Sequence, residues 1–279
     1  MAILPFQLIN DNLVISGIYS GSTDTLHFIF DTGAEVTTLH SDLANKLQLR
    51  GNKIMGVSGT TNGMLMVQTT TLNALYFKQL RLPFVKVYLE DLTQFNTGGY
   101  KIDGIIGVDL LKRYIVKIDH GQHQLVFYRA GKTPPNTPGQ QVPFRLNFTT
   151  PTIEAVITLP DGQALSGRYH FTSGGNYGIL FNWPYVDKHK LNVLLPTINT
   201  DRVQDMTKTL YYINSNIPSL QIGNTVIKPT PVSYCKDVND SGALSEMAGS
   251  IGYDVWKQFN ITVNYAQREL YLEQIAAQR

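Results

Sequence analysis

Four groupings of side chains have the types and spacing to do chemistry. Asp31 closes the apolar run His27-Phe-Ile-Phe and is followed by Thr32, Gly33 and Ala34. It offers one carboxylate for proton transfer, although Asp-Thr-Gly alone also makes ordinary turns. His120 and His123 form His-x-x-His within Asp119-His-Gly-Gln-His-Gln124. No helix bearing a glutamate accompanies them, as a metallopeptidase would require, so they read as a solvated turn between strands. Ser58 and Ser173 lie beside glycines, yet neither occupies a Gly-x-Ser-x-Gly elbow. Cys235 is the sole cysteine, which excludes an intrachain disulfide and a thiolate metal cluster and reads as a buried thiol. The full Gly-x-x-x-x-Gly-Lys-Ser/Thr pattern does not occur, so there is no phosphate loop. No metal or cofactor is expected.

The chain that must position these groups has 279 residues, enough for one large or two small domains with a real core. Only 16% of residues are charged, below the usual share for soluble domains, while Tyr, Thr, Val and Ile are plentiful, which favours a β-rich protein. The 23 basic and 21 acidic residues are scattered without blocks, so nucleic acid is not an expected partner. No apolar run is long enough to span a membrane. The first eight residues lack the features of a secretory leader, and the compartment stays open. A periplasmic or secreted home is compatible with a leader removed earlier.

Short apolar or alternating runs predict strands over 12–19, 25–30, 63–76 and 84–89. Brief helices are predicted over 41–47, with Ser41 as N-cap, and over 109–114 and 254–259. The stretch 131–141, with three prolines and two glycines, reads as a linker. The segments on either side of it resemble each other. Gly104-Ile-Ile-Gly-Val-Asp-Leu-Leu aligns without a gap with Gly249-Ser-Ile-Gly-Tyr-Asp-Val-Trp, and the same register puts Leu72, Leu75, Phe77 and Leu82 over Ile217, Leu220, Ile222 and Ile227. Further upstream, Pro5-Phe-Gln-Leu8 matches Pro143-Phe-Arg-Leu146. Several matches in consistent order predict a duplication, with lobes at 1–130 and 142–279.

In this context Asp31-Thr32-Gly33-Ala34 resembles the active-site loop of the aspartic peptidases. Asp103-Gly-Ile-Ile-Gly-Val-Asp-Leu-Leu resembles the hydrophobic-hydrophobic-Gly motif that packs beside that loop. Gly56, Val57, Ser58, Gly59 and Thr60 resemble the start of the flap hairpin, and Met64-Leu-Met66 could touch a substrate or simply pack in the hairpin. Residues 1–130 are similar to a retropepsin-like lobe, single in retroviral proteases and doubled in pepsins. The nearest likeness is to the bacterial retropepsin-like aspartyl proteases. The resemblance implies a mainly β protein of two tandem barrel lobes with short helices, facing each other across a cleft that takes a peptide or protein. It also implies two carboxylates, one per lobe, that share a proton and activate a water without metal or covalent intermediate. Asp31 would be one of them, braced by Thr32 with Gly33 allowing close approach.

The second half departs from that pattern. Tyr169-His-Phe-Thr-Ser-Gly-Gly-Asn-Tyr-Gly-Ile-Leu180 aligns with the Asp31 loop, setting Thr172, Ser173 and Gly174 against Asp31, Thr32 and Gly33. A threonine hydroxyl can hydrogen-bond a carboxylate but cannot share its proton as a second acid. Three outcomes follow: a pseudopeptidase that binds peptide or serves as a structural module; an active homodimer that joins two Asp31 loops; or replacement of the acid by His170. A fused second lobe already fills the partner's place, so a monomer is expected over a homodimer.

Overall fold

The computed structural model describes residues 1–20, 22–57, 64–97, 99–131, 134, 136–204, 209–236 and 246–275. Strands dominate it, in three sheets with β-barrel character and a few short helices. An eight-stranded sheet is built from residues between Gln7 and Ile106, and a ten-stranded sheet from residues between Arg145 and Ile251, in which the short strand Arg145–Asn147 pairs with Thr150–Thr158. Ser58, Gly59 and Thr60 lie outside the described residues, while Gly56 and Val57 end the strand Asn52–Val57 that pairs with Met64–Phe77.

Thr25–Phe30 carries Asp31 to its place. Leu26, Phe28 and Phe30 point into the main core, where alternation predicts them. Ile29 faces the other way, into a second cluster with Val14, Leu92 and Ile102. Burial on both faces fixes the register of this strand, because a slip of one residue would exchange the two sets. Its neighbour Gly104–Ile106 runs parallel, pairing Phe28 with Gly104 and Phe30 with Ile106. In the second half Ala164–Phe171 pairs in parallel with Gly249–Ile251, setting Tyr169 against Gly249 and Phe171 against Ile251.

The third sheet has six strands, three from each end of the molecule: Ala2–Pro5, Gln124–Arg129 and Tyr114–Asp119, then Phe259–Asn264, Glu269–Gln274 and Gln140–Pro143. Its central pairing sets Val116 against Val263, Lys117 against Thr262 and Ile118 against Ile261. Sequence reading does not anticipate this sheet. Its strands meet across more than a hundred residues, and the barrel pattern assigns them to separate lobes. Gln140 and Gln141, placed in the linker by their prolines and glycines, belong to its edge strand.

Several predicted ends move. Strands over 12–19 and 25–30 are found at those bounds, while the other two are Met64–Phe77 and Leu80–Glu90. The first helix is Ser41–Lys46, capped by His40, whose Nδ1 accepts from the Asp42 N–H at 3.2 Å, so Ser41 is its first residue and not its cap. The others shorten to Val108–Leu111 and Tyr253–Trp256, because Tyr114 and Phe259 open strands of the six-stranded sheet. Trp183–Lys188 and Leu191–Leu194 are helices that the pattern did not predict, although Pro184 in the first turn was a start signal. His120 is a further correction. It is buried between Phe6 and Tyr253, with Nδ1 2.6 Å from the Phe259 carbonyl, whereas His123 is exposed as expected of the turn. Cys235 is buried. Among the described residues, no helix is long and apolar enough to cross a membrane.

Candidate functional site

Asp31 and Thr172 each lie just past the C-terminal end of a strand, and each is held there by the neighbouring parallel strand. The Asp31 N–H donates to the Ile106 carbonyl at 2.9 Å, and the Thr172 N–H to that of Ile251 at 3.2 Å. Each loop also binds the short helix beside it: the Val108 N–H donates to Ala34 at 3.0 Å, and the Tyr253 N–H to Gly175 at 2.7 Å.

The loops clasp each other through the residues that follow. The Thr32 hydroxyl donates to the Phe171 carbonyl at 3.1 Å and accepts from the Ser173 N–H at 3.0 Å. Reciprocally, the Ser173 hydroxyl donates to the Phe30 carbonyl at 3.2 Å and accepts from the Thr32 N–H at 3.1 Å. Both side chains are fully enclosed, Thr32 at 0% and Ser173 at 1% exposure, so none of these groups has water as an alternative. Thr32→Ala leaves the Ser173 N–H and the Phe171 carbonyl unpaired, and should lower stability by about 2 kcal/mol. A urea titration reads this directly, and an unshifted midpoint would show that the clasp is not a stabilising element.

Oδ1 of Asp31 accepts three bonds: from the Gly33 N–H at 2.8 Å, the Thr172 hydroxyl at 2.8 Å and the Gly174 N–H at 3.0 Å. A Cβ on Gly33 would lie 2.8 Å from Thr172 Oγ1, and one on Gly174 2.6 Å from Asp31 Oδ2, so neither loop could approach so closely with a side chain there. Part of Asp31 reaches solvent, but its carboxyl is set into the protein. Burial holds its pKa above the ordinary value of 3.8, against the hydrogen bonds from Gly33, Thr172, Gly174 and Ser173 that pull it down. None of these four groups is an acid.

The folded chain therefore binds the Asp31 proton more tightly than the unfolded chain does. Stability falls as pH rises from the ordinary carboxyl value through the raised folded one. Asp31→Asn keeps Oδ1 as acceptor for all three donors and removes the buried charge. It should raise the melting temperature at neutral pH, with the gain vanishing in acid where Asp31 is itself neutral. A scan showing no gain at neutral pH would contradict the burial cost.

The structure brings Asp31, Thr32, Gly33, Thr172, Ser173 and Gly174 together, with Ala34 bonded to the adjoining helix. His170 does not join them: its Nε2 lies 3.0 Å from Asn147 Nδ2, and burial, then the charge of Arg168, push its pKa down to about 4. Two further contacts flank the loops. Glu35 accepts from the Thr150 hydroxyl at 2.9 Å, and Asn176 Nδ2 donates to the Asn10 carbonyl at 2.5 Å. Sequence reasoning also missed Tyr177, whose ring lies over Gly175 and Gly252 and whose phenol is pushed above its ordinary pKa by burial, then by the charge of Asp31. A signal was present, since the same alignments set Tyr177 against Val36 and Ser250 against Ile105. Among the described residues, no group of three or more His, Cys, Asp or Glu is placed to hold a metal ion.

Residues 15–110 match the model of a family described as aspartyl protease. The match begins within the strand Asn12–Tyr19, takes in Asp31 and the Gly104–Ile106 strand, and ends in the helix Val108–Leu111. That stretch, about a third of the chain, is similar to the aspartyl-protease family, and the mainly β fold is consistent with retropepsin-like barrels. Thr172 lies beyond it. No curated protein matches the chain.

Proposed function

We propose that the chain is a peptide-binding pseudopeptidase: two aspartic-peptidase-type lobes, over 1–130 and 142–279, facing across a cleft with one carboxylate in its floor. The observation that carries this reading is the 2.8 Å bond from the Thr172 hydroxyl to Asp31 Oδ1, at the point where the second carboxylate of such a pair would stand. The six-stranded sheet supports the duplication. Its central register maps onto itself when residues of the first half are advanced by 145, with Lys117 opposite its own counterpart Thr262. The parallel strand pairs that end at Asp31 and Thr172 support it too.

Hydrolysis by this fold needs one carboxylate to take a proton from water while the other, protonated, polarises the peptide carbonyl. Thr172 supplies a hydrogen bond and no exchangeable acid proton at working pH. With three donors on Oδ1, Oδ2 is the oxygen of Asp31 left to meet a ligand. Such a site holds a peptide without cutting it.

An active homodimer is the second reading, and the intact Asp31 loop favours it. Joining two Asp31 loops would require the four Thr32–Ser173 clasp bonds to open first, so the monomer is preferred. Isothermal titration with an unstructured peptide carrying a statine-type hydroxyl tests the proposal. Binding by the monomer, weakened by Asp31→Asn, is expected, with an ordinary peptide recovered intact. Absence of binding would overturn it.

A further inference from the structure

The exchanges in the second half around the missing acid are not confined to Thr172. By the same alignments, Tyr177 stands where the first half has Val36, Gly175 where it has Ala34, and Ser250 where it has Ile105. These three fit one another. A Cβ on Gly175 would lie 2.2 Å from Tyr177 Cε1, and one on Gly252 2.6 Å from its Cδ2, so the ring occupies room that exists only because both residues are glycine. Ser250 puts a small hydroxyl near the phenol where the first half has a bulky isoleucine. His170, paired across the strands with Ser250 and with Thr152, continues a polar face where the first half sets Ile29 against Ile105 and Val14. The ring stays half-buried, within electrostatic reach both of Asp31 and of Tyr212 in the hairpin strand Thr209–Ile217. The ring lies over Gly175, next to the Gly174 whose N–H meets Asp31, and so stands at the second-half side of the site.

We propose that Tyr177, seated against Gly175 and Gly252, fills the second-half side of the site, so that a bound peptide can place only glycine or alanine there. On the first-half side the equivalent positions are the half-buried apolar Ala34, Val36 and Ile105, with no ring in the place of Tyr177. The inference rests on the reading of the site as a peptide-binding one. It makes Tyr177 a specificity-determining residue and gives the ligand a direction: apolar residue, then small residue, across Asp31.

Fluorescence anisotropy of the full chain tests this with labelled, unstructured octapeptides. Their central pair is leucine joined to glycine, alanine, leucine or phenylalanine, in both orders. The native chain should bind one order of leucine–glycine or leucine–alanine about tenfold more tightly than leucine–leucine or leucine–phenylalanine, the scale on which a pocket discriminates side-chain size. Tyr177→Ala should abolish that difference. Tyr177→Val, which installs the first-half residue, should do the same and serves if the alanine variant does not fold. A size preference that is absent from the native chain, or that survives both variants, overturns this inference and leaves peptide binding standing. Failure of every peptide to bind the native chain and the folded variants overturns the peptide-binding reading itself.

Discussion

Thr172→Asp should turn the chain into a peptidase. The variant places a second carboxylate beside Asp31 in a site whose other parts are already formed: the Thr32–Ser173 clasp, the close approach at Gly33 and Gly174, and the strand bonds that hold both loops. Two carboxyls at that separation cannot both ionise, so they titrate as a pair sharing one proton. Turnover of an unfolded protein should appear with an acid optimum, roughly pH 3–6. Catalytic groups that act as a unit are strongly non-additive, so the gain over the native chain should be large, about a thousandfold. The variant should also lose stability at neutral pH, where the pair must give up its shared proton. A folded Thr172→Asp protein that binds peptide and still does not cleave it would show that the missing acid is not what silences the site.

Gly107→Ala should be the most destabilising single methyl addition near the site. A Cβ on Gly107 would lie 1.6 Å from the Asp31 carbonyl oxygen and 3.3 Å from that of Ala34. Both are backbone atoms, and Asp31 is anchored on both sides by its bonds to Ile106 and to the second half, so the contact cannot be relieved by a rotamer change. Either the loop or the helix Val108–Leu111 must move, and the clasp with it. A loss of at least about 4 kcal/mol is expected, in the range reserved for overpacking that the structure cannot absorb. Chemical denaturation measures it, and a loss under about 1 kcal/mol would mean that the loop and helix are not rigidly apposed. The explanation for the hydrophobic-hydrophobic-Gly pattern is therefore steric: only glycine lets the helix start against the back of the Asp31 loop.

Local chemistry was legible in the sequence wherever the determining contacts are local. The strand leading to Asp31 could be bounded because its alternation and its ends are its own. Leu72, Leu75, Phe77 and Leu82 are all buried, and so are Ile217, Leu220, Ile222 and Ile227, which the sequence alignment sets against them. Helix ends were less legible. Tyr114 and Phe259 fit a helical stripe, but the six-stranded sheet claims them, and tertiary pairing overrides so short a propensity signal. His120 looked like a turn residue because its shell comes from Phe6, Tyr253 and Phe259, which no window around it contains. Asp31 and Thr172 were both legible as residues. What could not be read was that Thr172 would turn its hydroxyl onto Asp31, or that the Tyr177 ring would lie over Gly175 beside them.

The central claim is that the native chain holds a peptide at Asp31 without cutting it. It is tested most directly by incubating the native protein, shown to be monomeric by sedimentation, with an unfolded protein across acid pH and reading the products by mass spectrometry. The account predicts that the substrate is recovered intact. Cleavage that disappears in Asp31→Asn would contradict it.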